Sequence, residues 1–69
     1  MKEIKINTEF IKLDQFLKWA GIAGSGGDAK AMILSGNIKV NGEVVLQRGK
    51  KIYKGYNILI DKNEEFIVI

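Results

Sequence analysis

Residues 25–46, SGGDAKAMILSGNIKVNGEVVL, encode a helix followed by a hairpin, and the rest of the chain is read outward from them. Ser25 followed three residues later by Asp28 is an N-cap pattern, because the hydroxyl accepts an orphan backbone N–H while the carboxylate sits at the positive end of the helix. Ala29, Met32 and Ile33 then share one helical face, Lys30 projects from another, and Gly36 stands where a left-handed C-cap belongs. From Asn37 the period changes to two. Ile38-Lys39-Val40 and Val44-Val45-Leu46 flank Asn41-Gly42, the dipeptide that best tolerates positive φ at both positions of a two-residue hairpin turn.

Upstream, Leu13, Phe16, Leu17 and Ala20 recur at i, i+3, i+4 and i+7, which predicts a first helix ended by Gly21. Gly21 to Asp28 forms the turn between the helices. Lys2 to Asn7 alternates charged and apolar residues with Ile4 and Ile6 on one face, the pattern of a half-buried strand. Downstream, Gln47 to Lys51 reads as a polar, basic connection and Tyr53 to Tyr56 as a turn around Gly55. Asn57 to Ile60 and Glu65 to Ile69 read as strands joined at Asp61-Lys62-Asn63. The predicted order is β-α-α-β-β-β-β, an α+β domain with two helices on a small, mainly antiparallel sheet.

With 69 residues the chain holds one domain, 1–69. It has no Cys and no His, so neither a disulfide nor a zinc site stabilises the fold, and an apolar content of 46% must supply the core. No apolar run approaches the roughly 18 residues of a membrane span, and the N-terminus lacks the apolar stretch of a signal peptide. A cytoplasmic monomer is the expectation. Positive charge is localised: residues 26–55 carry Lys30, Lys39, Arg48, Lys50, Lys51 and Lys54 against Asp28 and Glu43, whereas residues 56–69 carry Lys62 against Asp61, Glu64 and Glu65. With a pI near 9.3 this is the footprint of a polyanion binder.

Enzymatic readings lack their parts. Without His or Cys there is no familiar triad, dyad or thiolate nucleophile. Asp61, Glu64 and Glu65 read as a solvated turn rather than a metal site, so no metal, cofactor or small-molecule substrate is expected. Gly24 to Ala29 fits G-x-G-x-x-A but follows a helix instead of a strand, in a chain too short for a dinucleotide fold. Two readings remain for this segment: a tight interhelical turn, or the amides of Gly26 and Gly27 meeting a phosphate beside Ser25. Gly21-Ile22-Ala23-Gly24 matches the G-x-x-G loop of KH domains, but that loop holds no basic residue here and the chain ends in strands.

Arg48-Gly49-Lys50-Lys51 is the densest basic cluster, either a solubilising loop or a phosphate-binding one. Lys30 and Lys39 would join it if the hairpin packs back on the helices. Lys18 stands four residues after Asp14, a spacing that allows an ion pair. Trp19 lies off the apolar stripe, either packing under the N-terminal strand or stacking on a base; Tyr53 and Tyr56 are equally open.

Leu13-Asp14 at the start of a helix, Gly21, Ser25-x-x-x-Ala29-Lys30, Ile33, Gly36 and Val40-Asn41-Gly42 together resemble the S-four RNA-binding domain over about residues 10–58. Thr8 to Leu13, Ser25-Gly26-Gly27-x-Ala29-Lys30 and Arg48-Gly49-Lys50-Lys51 resemble its stand-alone bacterial branch, of the YaaA and YbcJ type, over nearly the whole chain. The resemblance implies an αL RNA-binding motif that binds double-helical or junction-containing RNA, and the expected function is non-catalytic binding of structured RNA, ribosomal RNA being the natural partner, with a part in ribosome assembly. In that family the position of Lys12 is often Arg, that of Gly26 often Arg and that of Tyr56 often Asp. Carried over, it assigns RNA contacts to Lys12, Lys30, Arg48, Lys50 and Lys51, with Gly26 standing where many relatives have a phosphate-contacting Arg; the reading of the residues themselves adds Lys18, Ser25 and Lys39 to the candidate RNA contacts. The rival from another class is a protein-interaction module docking through the hairpin and terminal strands.

Overall fold

Two short helices cannot hold themselves in water, so their apolar faces must be covered, and the strands do this. A computed structural model describes residues 1–61 and 63–69. Its elements are β1 (Lys2–Ile4), β2 (Phe10–Lys12), α1 (Leu13–Trp19), α2 (Gly26–Leu34), β3 (Ile38–Val40), β4 (Glu43–Val44), β5 (Lys51–Tyr53), β6 (Asn57–Ile60) and β7 (Glu64–Val68). Five strands form one sheet in the order β1-β7-β6-β3-β4, with β1 parallel to β7 and the other neighbours antiparallel. The predicted α+β architecture holds. The predicted strand order lacks two elements, β2 and β5, which pair with each other as a separate antiparallel ribbon.

The core fills the space between these layers. Ile38, Val40, Ile58, Ile60, Phe66 and Val68 point inward from the sheet; Leu13, Phe16 and Leu17 face them from α1, Ala29 and Ile33 from α2, and Ile52 from the ribbon. Phe16 and Phe66 meet edge to face, centroids 6.1 Å apart at 82°. Such a pair contributes about 0.5–1.5 kcal/mol beyond its burial. No charged or polar side chain is buried among the described residues.

Local chemistry sets the element ends. Ser25 caps α2 as predicted, its Oγ accepting from Asp28 N–H at 3.1 Å. Gly21, at φ +74°, closes α1: its N–H donates to Lys18 and that of Ile22 to Leu17, the paired bonds of a Schellman turn. Asn41 (φ 51°) and Gly42 (φ 88°) are both left-handed, which makes the β3–β4 connection a type I′ turn with Val40 opposite Glu43. The strand ends at Val44, so Val45 and Leu46, expected to continue it, lie outside it, although the Val45 N–H still donates to the Ile38 carbonyl at 3.1 Å. The expected Asp61-Lys62-Asn63 joint includes Lys62, which lies outside the described residues.

Candidate nucleic-acid interface

The ribbon is built from two mirror-image tripeptides. Phe10-Ile11-Lys12 reads aromatic, isoleucine, lysine; Lys51-Ile52-Tyr53 reads the reverse. Antiparallel pairing sets like against like, Phe10 opposite Tyr53, Ile11 opposite Ile52, and Lys12 opposite Lys51. Because side chains alternate across a strand, Ile11 and Ile52 face the core while the two aromatics and the two lysines share the outer face. Both lysines are exposed, and Lys51 Nζ lies 4.8 Å from the Phe10 ring centroid.

The basic loop is fixed to this ribbon by the start of α1. The N-cap residue Lys12 makes no side-chain cap; instead the N–H of Leu13 donates to the Lys50 carbonyl at 2.8 Å and the N–H of Asp14 to the Arg48 carbonyl at 3.1 Å, while the Asp14 carboxylate accepts from the Gln15 N–H at 2.8 Å. Loop backbone thus satisfies two orphan donors, and in doing so holds Arg48, Lys50 and Lys51 beside Lys12. Asp14 lies within this group, its carboxylate 3.9 Å from Arg48 Nε. It is therefore paired with Arg48, not with Lys18 one turn along α1, and Lys18 is left exposed. Lys54, missed as a candidate, is exposed on the turn that follows β5.

The remaining candidates fall into two other places. Gly26 and Lys30 stand one turn apart on the exposed side of α2, which packs against α1. The Ser25 hydroxyl is engaged by Asp28 N–H, and the Asp28 carboxylate occupies this helix end, 3.3 Å from where a Cβ on Gly24 would stand. Lys39 lies elsewhere. Its neighbours Ile38 and Val40 point into the core, so it projects from the opposite face of the sheet, beside Val44 and Leu59, with Glu65 next along the row. It lines a 260 Å³ cleft with Gly36, Asn37, Leu59 and Asp61 there. The hairpin presents its turn, not Lys39, toward the basic loop: Asn41, Glu43 and Val45 border a 170 Å³ hollow with Val40, Lys50 and Tyr56.

Trp19 is 61% exposed, and its indole N–H donates to the Lys5 carbonyl at 3.0 Å, bracing the segment that leaves β1. The mirrored order of Phe10–Lys12 and Lys51–Tyr53 stands out only once the pairing of the two strands is known.

Among the described residues no cluster of acidic side chains could hold a metal ion, and no helix is long and apolar enough to cross a membrane. A curated protein of Bacillus subtilis (strain 168), described as a probable ribosome maturation protein RlbA, is 41% identical over 66 residues, covering 96% of this chain and 93% of its own length. The family model described as S4 domain matches residues 4–69, and with it the chain belongs to the S4 domain family.

Proposed function

We propose that this protein is a non-catalytic RNA-binding protein that holds structured RNA, namely ribosomal RNA during ribosome maturation, by phosphate contacts from a basic face. The observation that carries this reading is the gathering of Lys12, Arg48, Lys50 and Lys51 around the start of α1, where backbone hydrogen bonds fix the loop relative to the ribbon. Cations on a fixed scaffold match phosphates with less ordering cost than cations on a free loop. Lys18 extends this face along α1, and Gly26, Ser25 and Lys30 form its second patch on α2. Membership of the S-four family and the ribosome maturation role in the name of the Bacillus relative support RNA as the partner. Contacts to phosphate position a protein without reading bases, so binding is selective for RNA shape more than sequence.

A second reading has one observation in its favour. Val44 in the short edge strand β4 and Leu46 just after it are 51% and 54% exposed, a surface suited to a protein partner.

Titrating wild type and a Lys50→Ala/Lys51→Ala variant against a structured ribosomal RNA fragment over a salt series tests the proposal. The expected result is weaker binding with a log-log salt slope smaller by about 0.7–0.9 for each phosphate that is no longer neutralised. Equal slopes would remove the loop from the interface. Absence of binding by wild type at low salt would favour the protein partner.

A further inference from the structure

We infer that the outer face of the β2–β5 ribbon is a stacking site for an unpaired base of the bound RNA, with Lys12 and Lys51 on the phosphates that flank it. The inference rests on the RNA-binding reading and adds a site that phosphate contacts alone do not require.

Four observations converge on this face. Phe10 and Tyr53 are directly opposed in register and only half-buried, with ring centroids 5.7 Å apart at 46°. Tyr56 continues the row, 5.7 Å from Tyr53 at 55°, and it borders the hollow that also holds Lys50. Lys12 and Lys51 share the face with the rings, so an aromatic row and its cations form one surface. The solvent side of a two-stranded ribbon is where polar residues are expected, yet Phe10 and Tyr53 occupy it, while on the inner side Ile52 is fully buried in the core and the half-buried Ile11 packs against it.

Rings beside lysines suit a nucleotide in particular. A base offers a flat apolar face whatever its sequence, and its 5′ and 3′ phosphates carry the charge that the lysines complement. A base within a continuous duplex keeps its faces stacked on neighbours. Only a bulged, looped or terminal nucleotide can present one, so the site selects for irregular over uninterrupted helices. Lys51, held 4.8 Å from the Phe10 ring centroid, marks which side of the row the phosphate approaches.

The test uses two RNA duplexes differing by a single unpaired 2-aminopurine, whose fluorescence falls when it stacks. Wild type is expected to bind the bulged duplex about tenfold more tightly, within the range one base stacked on an aromatic ring supplies, and to quench its fluorescence. In Phe10→Leu/Tyr53→Leu the preference and the quenching should both disappear while affinity for the plain duplex stays. Equal binding of both duplexes by wild type, without quenching, would overturn the stacking site and leave RNA binding intact; failure to bind either duplex would overturn both. Should the double variant not fold, the Tyr53 ring resonances of the wild type decide the matter. They should shift with the bulged duplex and not with the plain one, and shifts alike in both would overturn the site.

Discussion

Arg48 and Asp14 are joined twice: the backbone N–H of Asp14 donates to the Arg48 carbonyl at 3.1 Å, and the Arg48 guanidinium Nε lies 3.9 Å from the Asp14 carboxylate. The first link orders the loop, whereas the second sets a negative charge among groups proposed to bind phosphate. The two links can be separated by substitution.

In Asp14→Asn the backbone link remains and the charge is removed. A partly exposed ion pair and a first-turn carboxylate each contribute little, so a loss of about 0.5–1 kcal/mol is expected in denaturant titration. RNA affinity should rise, because no carboxylate then opposes the phosphates. A fall in affinity would mean that the loop needs its ion pair to keep its shape.

Lys12 and Lys51 face each other across the ribbon, and like charges directly opposed are unfavourable. Lys12→Glu replaces repulsion by attraction, with an expected gain of about 0.2–1 kcal/mol in stability. RNA binding should weaken at the same time. Opposite signs in melting temperature and affinity would identify Lys12 as a residue retained for binding; a drop in both would show that the substitution disturbs the ribbon.

Gly26 is the first residue of α2, and a Cβ there meets nothing within 4 Å. Gly26→Arg places a guanidinium one turn before Lys30 without a clash. Fluorescence anisotropy over a salt series should show tighter RNA binding and a slope larger by about 0.7–0.9, the effect of neutralising one further phosphate. An unchanged slope would separate the α2 patch from the interface.

At Gly42, φ of 88° favours glycine, and the neighbouring Asn41 accepts a hydrogen bond from Asn57 N–H at 2.9 Å through its side chain. Gly42→Ala is expected to cost about 1–2 kcal/mol in chemical denaturation, the strain of a Cβ in the left-handed region. RNA affinity measured well below the melting transition should hardly change. A large loss of affinity would bring the hairpin turn into the site.

Features that depend on a few consecutive residues were legible in the sequence. Ser25 announces the start of α2, Gly21 the end of α1 and Asn41-Gly42 the hairpin, because each needs only its neighbours. The ribbon was not. Each of its strands has three residues, too few for a period to show; Phe10–Lys12 runs directly into α1, and its partner β5 is far along the chain at Lys51–Tyr53. The Asp14–Lys18 spacing pointed to a local pair, but tertiary packing brings Arg48 to Asp14 instead. Lys39 is a similar case: alternation puts it outward from the sheet, while which side of the sheet faces the basic loop is decided by how the helices pack.

The parallel pairing of β1 with β7 sets Lys2 opposite Phe66 and Ile4 opposite Val68. β1 is the first and β7 the last strand in chain order, so this pairing closes the longest loop of any in the sheet. The helices and the β3–β4 hairpin close over short sequence separations, whereas the β1–β7 pairing spans nearly the whole chain and carries a larger loop entropy. The seam between β1 and β7 is thus where the sheet meets its largest loop-closure cost.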